Sequence, residues 1–149
     1  MWTEVRDQIQ TILLEVEGVH IVHPYPRLAR DRQPHKWLTW MRDHQRINAW
    51  TISREGVESS FLTCKEVQTF TRVVLVGMLQ HDDEAQTQDE FDNLVDTVLT
   101  KFYVNYRLND RVDIQGPADL RLVELHQVGD QAVHYAEIVF SVQQRVRID

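Results

Sequence analysis

Residues 64–79 constrain this chain more than any other stretch. Read as one long strand, they place Val67, Thr69, Thr71, Val73 and Leu75 on one face and Phe70, Val74, Val76 and Met78 on the other, because successive side chains of a strand alternate between faces. Both faces are apolar near the end of the segment. That predicts a central strand with material packed on each side.

The most regular helical signal follows it. Thr87-x-x-Glu90 has the form of a capping box. Phe91, Leu94, Val95, Val98, Leu99 and Phe102 then recur at three- and four-residue spacing, which builds one apolar helix face. Acids crowd its start and Lys101 stands at its end, as the helix dipole favours. A second amphipathic helix opens the chain through Trp2, Val5, Ile9, Ile12, Leu13 and Val16, with Thr3 as its expected N-cap and Gly18 as its stop. Val19–His23 is a short β-prone run ended by Pro24. The prolines between Pro24 and Pro34 require an extended or looped path. Lys36–Gln45 fits either a helix, with Trp37, Trp40 and Met41 in phase, or a loop carrying exposed aromatics.

Ile47–Arg54 reads as a strand closed by a turn at Glu55-Gly56, and 109–120 as a loop around Gly116-Pro117. The chain ends in a hairpin: Arg121–Val128, a turn at Gly129-Asp130, then Gln131–Ile148. The fold class expected is α+β, a mostly antiparallel, mixed sheet of about four to five strands packed by two helices. A length of 149 residues suits a single domain, 1–149, which buries roughly 68–70% of its unfolded surface and needs no disulfide or metal staple. The lone cysteine, Cys64, has no internal partner and reads as a small strand residue. The segment Met1–Asp7 carries an acid early and has no apolar core, so no signal peptide is expected, and no apolar run is long enough to span a membrane.

Catalytic patterns are sparse. There is no G-x-S-x-G elbow, phosphate-binding glycine loop or C-x-x-C. His81-Asp82-Asp83-Glu84 offers nitrogen and oxygen ligands, but acids before a helix are commonly just solvated and dipole-matched. His20 and His23 would point to opposite faces of a strand. His134 falls on the apolar face of the last strand, where a hydrogen-bonded core histidine is the simpler reading. No catalytic residue, metal or cofactor is expected.

Charge is more informative. Arg27, Arg30, Arg32, Lys36, Arg42 and Arg46 face only Asp31 and Asp43 within 27–46, a net of about +4. Every charged residue from Asp82 to Asp96, including Asp83, Asp89 and Asp92, is acidic. The two stretches are either separate solvated faces or complementary patches joining copies head to tail, a contact that closes a ring when repeated. Arginine far outnumbers lysine, and arginine with aromatics such as Tyr25, Trp37 and Trp40 is the composition of interface hot spots. The same mixture suits single-stranded nucleic acid, against which stands the net charge of −7.

Taken in order, the opening amphipathic helix, Ile47–Arg54, the strand through Phe70–Gly77, the helix stretch Asp89–Val98 and the closing His134–Gln143 resemble the tail terminator (tail completion) proteins of lambda-like long-tailed bacteriophages. The resemblance runs from about residue 3 to 147 and rests on element order and apolar positions. Residues 24–41 have no counterpart in it. It implies a virion structural protein at the tail neck, made in the host bacterial cytoplasm. Such a protein forms a six-subunit ring on the head-proximal end of the tail tube, stops tube polymerisation and presents a surface to the head connector or stopper. Genomic DNA passes through the lumen without specific binding, and no membrane is involved. An acidic chain suits that passage, since fixed negative charge repels phosphate. Other neck proteins, such as head-completion or stopper proteins, share the pattern. From a different class, a small metal-dependent enzyme built on His81–Glu84 stays open. On these grounds the interface residues expected are Arg27, Arg30, Arg32, Trp37, Trp40, Met41, Arg42 and Arg46 against Asp82, Asp83, Asp89 and Asp92.

Overall fold

The computed structural model describes residues 2–26, 41–42, 46–110, 112–128 and 130–148. The first helix, α1 (Trp2–Leu14), buries Val5, Ile9, Ile12 and Leu13 along one face. Thr3 lies inside its first turn rather than capping it. The chain then tightens through Glu15 N–H to Ile12 O and Val16 N–H to Leu13 O. It leaves the helix at Gly18, whose φ of 95° is the left-handed conformation that glycine adopts without strain.

Among the described residues, five strands form one sheet in the order β1-β2-β3-β5-β4. The short β1 (Ile21–His23) runs parallel to β2 (Asn48–Thr63). All other neighbours are antiparallel: β2 with β3 (Glu66–Gln80), β3 with β5 (Gln131–Arg147), and β5 with β4 (Asp113–Val128). β3 therefore occupies the centre, as its two apolar faces require. The second helix, α2 (Thr87–Val104), lies with α1 on one face of the sheet. The class is α+β with a mixed sheet and a C-terminal strand pair.

Two apolar clusters cover the two faces. The larger joins α1 and α2 to Trp50, Ile52, Leu75, Ile138 and Phe140 on the sheet. The smaller lies on the opposite face, where Met41 and Ile47 pack on Ala49, Met78 and Val133. Trp50 is fully buried beside its cross-strand partner Gly77. A Cβ built on Gly77 would stand 2.5 Å from the indole, so only glycine leaves the ring its place.

Four expectations need correction. Glu55-Gly56 is not a turn: the register shifts between Arg54 and Gly56, and β2 continues to Thr63. The glycine marks a bulge, which the ladder absorbs as one extra residue. Residues 113–120 are likewise strand, with register shifts on either side of Asp119 and Leu120. Pro117 fits there because β4 is an edge strand, where a missing N–H breaks no ladder bond. Cys64 is exposed in the β2–β3 turn, not in a strand. Finally, the capping box does not form. Gln86 occupies the N-cap in a left-handed conformation without a side-chain cap bond, and Thr87 turns inward.

The helix layer covers only part of the sheet. Trp2 lies against Arg54, and Phe102 stacks on Phe140, at the level of the Arg54–Val73–Phe140 row. Beyond that row β2, β3 and β5 run on for about 20 Å as a blade ending at Thr63, Glu66 and Arg147, flanked by β4 only as far as Gln143. Among the described residues, no helix is long and apolar enough to cross a membrane.

Candidate functional site

His81 and His134 meet at the end of the sheet opposite the blade. The Thr87 hydroxyl lies 2.8 Å from His134 Nε2 in a buried contact. The same hydroxyl accepts a hydrogen bond from the Asp82 N–H at 2.9 Å and stands 3.2 Å from the Asp82 carbonyl oxygen. It has one proton to give. With Nε2 bare, that proton goes to the ring; with Nε2 protonated, the ring donates and the hydroxyl turns to Asp82 O. His134 stacks on Phe91 with centroids 5.5 Å apart and meets His81 at 5.1 Å. Burial pushes the His134 pKa below its ordinary value, and a charge on His81 pushes the same way. The nearby Asp92, Asp83 and Glu90 pull it back only in part. His134 is therefore a hydrogen-bonded core histidine that holds the start of α2 to β5.

The His81–Glu84 cluster does not converge on a point. His81 Nε2 pairs with Asp83 at 2.8 Å, while the Asp82 carboxylate accepts the backbone N–H groups of Glu84 and Ala85 at 3.1 and 3.4 Å. Among the described residues, no group of three or more His, Cys, Asp or Glu is placed to hold a metal ion.

Arg27, Arg30, Arg32, Trp37 and Trp40 lie outside the described residues. Met41 is 1% exposed and belongs to the chain's own smaller core cluster. Arg42 is exposed and forms an isolated bridge with Ile47. The Arg46 guanidinium reaches the acidic start of α2 within its own chain, with Nη1 donating to Glu90 Oε2 at 3.1 Å and Nη2 to Oε1. Part of the expected charge complementarity is thus used inside one copy. Asp82, Asp83, Asp89 and Asp92 are all exposed; Asp92 accepts from Gln88 at 3.1 Å.

Two surface features escape a reading of the sequence. The first is a charge chain across the sheet face opposite the helices. Arg121 of β4 donates to Glu55 at 3.1 Å and to Glu137 at 3.2 Å, while Arg72 Nε pairs with Glu55 at 3.2 Å. The two carboxylates raise the Arg121 pKa, chiefly through their hydrogen bonds. Four strands are tied by side chains far apart in sequence, so no local pattern signals it.

The second is the blade. Its rows Val57–Thr71–Val142, Ser59–Thr69–Gln144 and Phe61–Val67–Val146 continue the helix-side face and contain no charged residue. The opposite face carries Glu58, Glu66, Arg72, Arg145 and Arg147. Phe61 is 75% exposed. Alternation within 57–61 is the only local signal, and the glycine before it obscures it.

No protein-family model matches the chain, and no curated protein matches it.

Proposed function

We propose that this chain is a non-enzymatic virion structural protein. In this reading it caps the head-proximal end of a long-tailed phage's tail tube as a ring of six copies and offers the surface that joins tail to head connector. One observation carries the reading: the stretches on which the resemblance rests lie on the elements it requires. Asn48–Arg54 of the first stretch lies on β2, with Ile47 just before it, Phe70–Gly77 on central β3, Asp89–Val98 on α2 and His134–Gln143 on β5. Trp50, Ile52, Val73, Leu75, Ile138 and Phe140 of those stretches meet the apolar face of α2 in the larger core cluster, while Ile47 and Ala49 join the smaller one on the opposite face. A net charge of −7 supports passage of DNA over binding of it, because phosphate is repelled.

The test is tube length. Purified chain is added to polymerising tail tube protein, and tubes are measured by electron microscopy. Capping predicts that growth stops, with a ring at one end of each tube. Tubes that grow unchanged and bind no chain would refute it. Binding to the connector without effect on tube length would instead assign a head-completion or stopper role at the same neck.

A further inference from the structure

The start of α2 is fastened to the sheet through a histidine pair. Its N-cap, Gln86, gives no side-chain cap bond and has φ 54°, a conformation in which a residue other than glycine is strained. The backbone bonds of the turn before it are long: Gln86 N–H to Asp83 O at 3.2 Å and Thr87 N–H to Asp82 O at 3.3 Å. The tie to β5 is the Thr87 hydroxyl, 2.8 Å from His134 Nε2. His81 is set beside the same strand by its own N–H, which donates to Ala132 O at 2.9 Å. The two rings lie with centroids 5.1 Å apart. The charges around them are already engaged. From the turn, Asp83 pairs with His81, and Asp82 accepts from the N–H groups of Glu84 and Ala85. From α2, Glu90 is held by Arg46 and Asp92 accepts from Gln88, while Glu84 and Asp89 are exposed. From the sheet, the cross-strand neighbours of His134 are Leu79 and Leu125. Among the described residues no carboxylate pairs with His134, which is 1% exposed.

We propose that the His81–His134 pair is an acid-operated clasp: when both rings carry a charge, the 82–86 turn and the first turn of α2 come off β5, while the core beneath the rest of α2 stays closed. Three observations carry this. Two cations at 5.1 Å repel, and only the charge on His81 has a carboxylate to meet it. A charge on His134 is buried without a counter-ion, and opening of the turn is the shortest way to give it water. The opening also releases Gln86 from its left-handed conformation. It stops at Phe91, because Phe91, Leu94, Val95, Val98 and Phe102 pack in the larger core, whose members carry no titratable group. Asp82, Asp83 and Asp89 move with the turn, so pH sets the charge pattern at this end of the chain. The clasp does not depend on the capping role.

The experiment is amide hydrogen exchange on the full chain between pH 7 and pH 5, corrected for the intrinsic effect of pH on exchange. Opening at 82–90 is expected to rise about 10-fold over that range, since a ring that resists its proton when closed takes it near 6.5 once open. Opening at 73–79 and 94–102 is expected to stay constant. His134→Gln keeps a side-chain amide beside Thr87 but holds no charge, so its opening at 82–90 should no longer depend on pH. Should that variant fail to fold by circular dichroism, His81→Gln replaces it. Removing the charge on His81 eases the proton onto His134, so its rise at 82–90 should be smaller than that of wild type. Three results each overturn the proposal: opening at 82–90 that ignores pH in wild type, a rise shared equally by 73–79 and 94–102, or a variant that responds to pH as wild type does.

Discussion

Replacing Gly77 by alanine tests the packing argument at its tightest point. The added Cβ would lie 2.5, 2.6 and 2.7 Å from Cζ2, Cη2 and Cε2 of Trp50. Ordinary carbon contacts are about 3.5–4.0 Å, so three ring atoms are overlapped by about 1 Å each. Trp50 is 0% exposed, and the ring has no free direction in which to move. Overpacking of this kind costs about 3 kcal/mol, the upper part of its usual range. The smaller entropy of the unfolded alanine chain returns about 0.5–1 kcal/mol. A net loss of about 2–2.5 kcal/mol follows, or roughly 5–9 °C in Tm for a domain of this size. Urea denaturation followed by far-ultraviolet circular dichroism reads the loss. The same substitution in a Trp50→Phe background should cost less than about 0.5 kcal/mol, because the shorter phenyl ring withdraws the overlapped edge, giving a coupling of about 2 kcal/mol. A Gly77→Ala protein as stable as wild type, or an equal cost in both backgrounds, would refute the reasoning.

Other consequences follow from the α2 start. Thr87→Val strips His134 Nε2 and the Asp82 N–H of a shared partner in a buried place, and should cost about 1–3 kcal/mol in urea titration. Because burial holds His134 below its ordinary value of 6.5, the unfolded chain binds more protons just below that pH, so stability rises with pH there. The His134 contribution is therefore complete above about pH 6.5 and is lost as pH falls through the folded pKa. His134→Gln should flatten that limb of the stability–pH curve. Arg46→Ala breaks a half-exposed pair with Glu90 and should lower stability by only about 0–1 kcal/mol. A larger effect on stability in the monomer would show the pair to be a structural anchor.

What the sequence made legible depended on burial. The apolar stripes of α1 and α2 were readable because one face of each is buried and the other is wet, so period 3.6 is written into residue type. Central β3 was readable for the complementary reason, since both its faces are covered in the region 73–79. The extension of β2 was not. From Arg54 to Lys65 the chain is exposed on both sides, so nothing in composition separates ladder from loop, and its strand character comes from pairing with β3. Gly116-Pro117 misled through a general rule that edge strands suspend. Thr87 misled because its hydroxyl had a better partner than its own helix, His134, 47 positions away. The acidic and basic runs were legible as opposites. Only the fold showed that Arg46 reaches Glu90 within one chain.

The blade carries the last prediction. Its ladder bonds are made, but among the described residues no helix covers either face beyond the Thr71–Val142 row, and burial falls away there: Thr71 is 4% and Val142 0% exposed, while Phe61 is 75%. A strand assembly with an uncovered apolar face gains little from burial, and its stability is borrowed from the core strands it continues. Opening should therefore start at the tip and stop at the helix-covered rows. In dilute chain, amide hydrogen exchange is expected to be fast at 57–63, 66–70 and 144–147, and slow at 73–79 and 136–142. Protection in the blade equal to that at 73–79 and 136–142 would mean that the ladder alone holds the blade, and would refute this account.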